Sequence, residues 1–467
     1  MPPTLALILW LILLLALLRF DPAKDSGTSL ALWVPLIWLF ILGSRLPSQW
    51  LGLQVGPAAG AFEEGNPFDR AIFFILIFLA IGVLMLRSFN WVGFFGRNFF
   101  LFAFLSFALV SVLWSDFPFV SFKRWFRDLG SYLVILVVLS DPHPLEASRT
   151  LLRRLCYLLM PLSVLLVKYY PALARQYDEW SGAAMFVGAA TSKNMLGVAC
   201  LISGIFFFWD TIMRWSDRKE RRTKQIIRVN IIFILMTLWL LKLSNSVTSQ
   251  VCLVIGCVVI AAAHSGWGRR HPKLLKVLIP ATFCLYLILA FGFSLNGELA
   301  AQVGRDPTLT DRTIIWNTVL SLHTNPLVGT GYESFWLGPR LQMVWRVLKG
   351  ISEAHNGYLE IYLNLGAIGV VLLVGFLFAT YRTIWKRFTA SYTFASLTLA
   401  VWTVVLFYNV TEAAFKGSLL WPILLLGAMV VPERVGDQVR GMTDIGKNVR
   451  TAKRFPRSPS GMTLPLR

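Results

Sequence analysis

Residues 357–380 read GYLEIYLNLGAIGVVLLVGFLFAT, an apolar run with a single charged residue, Glu360. A helix needs about 17 to 25 mostly apolar residues to cross the hydrocarbon core of a bilayer, where only an internally closed hydrogen-bond ladder satisfies the backbone. Outward from this run, similar stretches predict spans near 29–45, 69–86, 97–115, 127–140, 155–170, 194–213, 229–243, 247–264, 274–293, 392–411 and 417–431. That makes about twelve transmembrane helices, or thirteen if the short run at 4–19 also crosses. The expected fold is all-α, a polytopic integral membrane helical bundle. Residues 1–432 form one transmembrane domain, including a large outer loop at 294–356 that bears amphipathic helices, and residues 433–467 form a basic, disordered cytoplasmic tail.

Composition agrees with this reading. The chain is 56% hydrophobic and only 15% charged, which excludes a soluble enzyme. Its net charge of +20 could suggest a nucleic-acid binder, but most Lys and Arg sit in short loops between apolar runs, where they set orientation instead. The loop 214–228 carries seven cations and is assigned to the cytoplasm. By alternation Arg149, Arg153 and Arg154, then Arg269, Arg270, Lys273 and Lys276, then Arg382, Lys386 and Arg387 fall on the same side. The five cysteines lie within apolar runs, an unfavourable setting for a disulfide framework or zinc site. The N-terminus has neither a basic start nor a clear small-residue cleavage site and is not read as a removed signal peptide.

Three features on the outer side stand apart. Lys123, Arg124, Arg127, Lys168, Lys193 and Lys242 sit at outer span ends, where positive-inside logic does not want them. Each alone could be a snorkelling side chain; together they suggest a basic pocket for a phosphate headgroup at the membrane interface. Within the outer loop, Thr310 or Asp311 can cap a helix running to about His323, closed by Asn325-Pro326 and a turn at Gly329 and Gly331. That helix puts Arg312, Trp316, Leu320 and His323 on one face and Ile315, Val319 and Leu322 on another. Arg312 is either a phosphate ligand or the partner of Asp306 or Asp311 in a surface salt bridge. Finally, Glu353, His355 and Glu360 cluster where the loop re-enters the membrane, with the chemistry for proton transfer.

The spacing His355-Asn356, nine residues, then Gly366-Ala367-Ile368-Gly369 resembles the pattern of the O-antigen ligase and exopolysaccharide polymerase superfamily. So do Leu309 to Trp316 with Asn325 to Tyr332, and Ser192-Lys193-Asn194-Met195-Leu196-Gly197, which is similar to a segment of the polymerase branch. Asp311 departs from the glycine that many relatives carry there. The resemblance implies a glycosyltransferase of the bacterial inner membrane with its active site facing the periplasm. Such an enzyme uses no cofactor or metal and moves a glycan from an undecaprenyl-pyrophosphate donor to a second glycan by inverting displacement. Transfer to a lipid acceptor, as in a ligase, is the alternative. In another class, a transporter of a lipid-linked sugar or anion would use the same cations as an entrance. Carried over to this chain, His355 activates or positions the acceptor hydroxyl, while Arg312 and Lys193 stabilise the leaving pyrophosphate. Asn194, Arg124, Lys123 and Arg127 join the donor site, Asn356 holds His355, and Tyr358, Glu353 and Glu360 line the acceptor path. Gly366 and Gly369 are expected to permit close helix packing. Membrane lipid and other polysaccharide-assembly proteins are the further partners implied, with no nucleic acid.

Overall fold

The computed structural model describes residues 1–21, 27–53, 65–87, 89–177, 182, 184–292, 310–348, 350–390 and 392–431. The expected tail at 433–467, the loop start at 294–309 with Asp306, and the Asp311 side chain lie outside the described residues. Among the described residues the chain is helical apart from one small antiparallel hairpin, Arg175–Tyr177 paired with Ala184–Phe186.

Among the described residues, eight helices are long and apolar enough to cross a membrane: Pro67–Leu86, Pro144–Tyr169, Lys193–Arg214, Arg221–Ser244, Val247–His264, Pro272–Ala290, Gly357–Phe388 and Tyr392–Thr411. A ninth is possible if Trp91–Arg97 and Phe99–Trp114, bent by 93° from one another, count as one span. Pro3–Arg19 and Leu30–Gly43 are apolar but shorter. Of the other expected spans, 127–140 overlaps the second half of Pro118–Leu139, whose first half carries Lys123, Arg124, Arg127 and Asp128. The last, 417–431, contains a nine-residue helix, Leu420–Ala428, buried along its whole length.

The bundle is layered by lipid exposure. In Tyr392–Thr411, 89% of the most apolar stretch is buried, against 17% in Pro272–Ala290. Phe78, Leu235, Val254 and Val277 stand exposed on the outer helices, as expected of side chains that meet lipid. Lipid offers no hydrophobic drive between helices, so close backbone approach carries the packing. A Cβ on Gly197 would lie 2.5 Å from the Ser249 hydroxyl, and one on Gly256 would lie 2.8 Å from Ile205. At these points Lys193–Arg214 and Val247–His264 come close enough to bring their ends into register.

The outer loop is folded over one end of this bundle. Thr310–Ser321 forms the expected helix, with Ile315 and Val319 buried against Phe335, Trp336, Leu341 and Val344. Asn325 turns the chain: its side chain accepts from the amides of Leu327 and Val328, and its carbonyl accepts from Gly329. The following segment docks into a break in Gly357–Ala390, where Gly366 takes φ 63°. Ala367 and Ile368 donate to the carbonyls of Pro326 and Leu327, while Thr330 and Gly331 donate to those of Leu363 and Asn364. A Cβ on Gly366 would sit 2.3 Å from the Leu327 carbonyl carbon, so the glycine admits the loop backbone into the helix break, a more specific role than the expected helix packing. This clasp fixes the loop on the membrane end where the charged residues gather.

Candidate functional site

Four chain segments meet at that end: the start of Lys193–Arg214, the loop just before Gly357, the end of Tyr392–Thr411, and the helix Thr310–Ser321. Their common point is Glu412, which the sequence reading did not single out. Its side chain is only 7% exposed. Arg312 donates from Nη2 to Glu412 Oε1 at 3.0 Å, Asn194 from Nδ2 to Oε2 at 3.1 Å, and His355 Nδ1 lies 3.3 Å from Oε2. The Glu412 carbonyl accepts from the Gly357 amide at 3.0 Å, which ties the ends of two spans together. Glu353 Oε1 lies 3.1 Å from the same His355 nitrogen, so the imidazole sits between two carboxylates on a backbone held at φ 48°.

These contacts set the charge state. Burial alone would lower the His355 imidazole, but the hydrogen bonds to Glu353 and Glu412 outweigh it and push the value up to about 10. His355 is therefore an imidazolium at neutral pH. Burial would raise Glu353, yet its bond to His355 holds the carboxyl below the ordinary range.

The cleft beside this cluster has a volume of about 470 Å³ and runs between Lys193, Arg127, Gln176, Met185 and Lys416. Ser192 caps the helix that begins at Lys193, its side chain accepting from the Met195 amide at 3.2 Å. The helix thus opens onto the cleft with the positive end of its dipole. Arg127, Lys193, Lys416 and cationic His355 face Glu333, Glu353 and Glu412 across it, leaving the lining net positive before Arg312 is counted.

Beneath the cleft lies a second buried network. Lys416 Nζ is 3.1 Å from Glu360 and 3.6 Å from Glu333. Burial opposes its charge, but the two acids hold it protonated. Trp336 Nε1 and the Ala354 amide both donate to Glu360, which is 1% exposed, so Glu360 anchors the loop beneath His355 instead of lining an acceptor path. Arg124 donates to the Glu333 carbonyl at 2.7 Å.

Of the expected site residues, His355, Arg312, Lys193, Asn194 and Glu353 converge here, joined by Arg127. Arg312 reaches Glu412, a hundred positions along the chain, for its salt bridge. Asn356 caps the helix after it by accepting from the Leu359 amide, while the carboxylates hold His355. Tyr358 donates to the Leu406 carbonyl and packs edge-on to Phe415, within the helix packing. The six outer cations do not form one pocket. Lys123 lies over Phe119 and Lys168 over Trp239, outside the cleft, and Lys242 is exposed away from it. Lys416 and Glu412 are recognisable in the sequence only as charged residues flanking an apolar run.

Glu353, His355 and Glu412 present ligand atoms within 4.8 Å of one another, a spacing that could also hold a metal ion. Arg312 donates to Glu412 Oε1, while Oε2 faces His355.

The fold and site define a polytopic helical membrane protein with a folded loop and a positively charged cleft at one membrane surface. Residues 231–374 match the family model described as O-antigen ligase. The chain is 26% identical over 291 residues, 58% of its length, to the exopolysaccharide production protein ExoQ of Rhizobium meliloti. It is 22% identical over 264 residues, 53% of its length, to a Rickettsia felis protein provisionally named a polysaccharide ligase. The alignments span 62% of the length of each relative. The resemblance to the O-antigen ligase and exopolysaccharide polymerase superfamily is thereby borne out. The matched segment contains Arg312, His355 and Gly366, whereas Lys193 and Glu412 lie beyond it.

Proposed function

We propose that this chain is a glycosyltransferase that takes a glycan from an undecaprenyl-pyrophosphate donor and joins it to a second glycan at the periplasmic face of the inner membrane. The observation that carries the reading is a partly buried cleft lined by Lys193, Arg127 and cationic His355, with Arg312 bound to Glu412 of the same lining. A pyrophosphate gathers negative charge as the bond to the anomeric carbon breaks, and cations fixed beforehand in a partly dry site stabilise that state more than the ground state. Lys193, Arg127 and the helix N-terminus receive the leaving pyrophosphate, with Arg312 at its edge. The acceptor oxygen forms the new bond at the anomeric carbon as the bond to the pyrophosphate oxygen breaks, and the pyrophosphate departs with the electron pair.

The acceptor proton needs a base. His355 at about 10 is already protonated, so the role falls to the partly exposed carboxylate of Glu353, and His355 positions it. No acid is needed for a leaving group as stable as pyrophosphate. The Lys193-Asn194 segment favours a polymerase over a ligase that delivers to a lipid. The transporter reading would want ionisable groups free at membrane depth. Asp210, towards the inner end of Lys193–Arg214, is instead held by Arg153 at 2.8 Å, Arg214 at 3.0 Å and Asn230 at 2.8 Å.

The test is a reconstituted assay with a lipid-pyrophosphate oligosaccharide, comparing wild type with His355→Ala and Arg312→Ala and reading glycan length and released lipid pyrophosphate. A ladder of longer glycans that disappears in both variants supports the polymerase. Single transfer to an added lipid acceptor identifies a ligase. Donor binding without transfer in wild type removes the enzymatic reading in favour of transport.

A further inference from the structure

The small hairpin, Arg175–Tyr177 paired with Ala184–Phe186, stands beside the outer cleft. Gln176 and Met185 are direct cross-strand partners and both line the cleft, so one face of the hairpin forms part of its wall. The other face carries Arg175, stacked over Phe186 at 5.2 Å, and the exposed Tyr177.

A two-stranded hairpin is marginal by itself in water, and this one adds little to the core, since all three residues of its first strand are exposed. It is held from outside. Arg45, only 8% exposed, donates from Nη2 to the Leu173 carbonyl and, at 3.3 Å, to the Gly188 carbonyl, on either side of the strand pair. The Ala174 carbonyl accepts from Val187 at 2.8 Å, and the Ala189 amide donates to Ser163 Oγ at 3.2 Å, which ties the hairpin to Pro144–Tyr169. Gln176 Nε2 donates to the Thr191 carbonyl at 2.9 Å, two residues before Lys193. The cleft face of the hairpin is therefore fixed next to Lys193 and uncharged.

Under the transferase reading, on which this inference rests, the pyrophosphate lies at Lys193, so the sugar bonded to it reaches the neighbouring wall. A carboxamide oxygen accepts from a hydroxyl, and a thioether packs on the apolar C–H face of a ring. We propose that the hairpin selects the first sugar of the donor: Gln176 Oε1 accepts from one hydroxyl of an uncharged sugar, Met185 covers its C–H face, and Arg45 is a positioning residue that holds the wall in place.

The test is a reconstituted assay of the full-length protein with synthetic polyprenyl-pyrophosphate oligosaccharides that begin with glucose, galactose or N-acetylglucosamine, each intact and as its single-deoxy analogues. On the donor used best, wild type should lose about tenfold in kcat/KM with one deoxy analogue, the share of one neutral hydrogen bond. Gln176→Leu should lose about as much on the intact donor and no longer discriminate against that analogue, so that the two losses fail to add. Arg45→Met should reduce the same discrimination, and Tyr177→Ala, on the opposite face, should keep it. Variants are compared where elution and helical circular dichroism match wild type; if Arg45→Met fails this, the Gln176→Leu cycle decides alone. Transfer in which the losses of Gln176→Leu and of every deoxy donor simply add, or in which Gln176→Leu changes nothing, overturns the hairpin assignment and leaves the transferase standing. No transfer by wild type from any donor removes the transferase reading and the hairpin assignment with it.

Discussion

Replacing Glu412 by Gln keeps the shape of the side chain and removes its charge. In the native protein this carboxylate takes a charged hydrogen bond from Arg312, faces His355 and accepts from Asn194, so three of the converging side chains lose their common anchor at once. Hydrogen bonds to charged groups contribute about 1.5–3 kcal/mol each. Misplacing a catalytic group by about 1 Å lowers a rate about 10²-fold. Released lipid pyrophosphate in the reconstituted assay should therefore fall at least about 100-fold, while the protein still inserts and elutes as wild type, because Gln can still accept from Asn194 or Arg312. Glu412→Asp, shorter by one methylene, should recover only part of the rate. A Glu412→Gln protein within threefold of wild type would refute the argument that this residue organises the site.

The pH dependence separates two roles for His355. Its folded value of about 10 lies above the ordinary 6.5, so the stability it contributes is complete below pH 6.5 and is lost as pH rises through about 10. If the imidazolium is the working form, transfer should be level from about pH 6 to 9 and decline toward 10; a rate rising tenfold per unit across that range would make neutral His355 the base. Gly366→Ala places a Cβ against the Leu327 carbonyl carbon and puts a side chain at φ 63°, so the loop clasp should open, seen as new protease cleavage between Asn325 and Gly331. Asp210→Asn leaves Arg153, 2% exposed, without its counter-charge. Breaking such a buried pair costs about 3–5 kcal/mol, so yield and melting temperature in detergent should both drop, while a fully functional, equally stable variant would contradict the structural role given to this cluster.

Much of the protein is legible in the chain alone. Apolar run length decides that it is a helical membrane protein, because a bilayer admits no other backbone solution for such segments. The spacing of His355, Gly366 and Gly369 and the Lys193-Asn194 segment indicate the family and three residues of the candidate site, His355, Lys193 and Asn194, since these motifs are local and survive without knowledge of the fold. Length alone does not separate a crossing helix from a buried short one such as Leu420–Ala428, nor show that Gly366 breaks its helix to admit a loop.

The charge logic of the site is decided only in three dimensions. Glu412 meets residues 57, 100 and 218 positions away, pairings that no periodicity or motif can announce. The contacts of His355 with Glu412 and Glu353 favour positioning over activation for that residue, while other tertiary contacts draw Asn356 and Glu360 into support of the loop and set Lys123 and Lys168 over aromatic rings outside the cleft. A side chain's protonation depends on which charges lie within a few ångströms of it, and in this protein those neighbours come from separate helices brought together by packing.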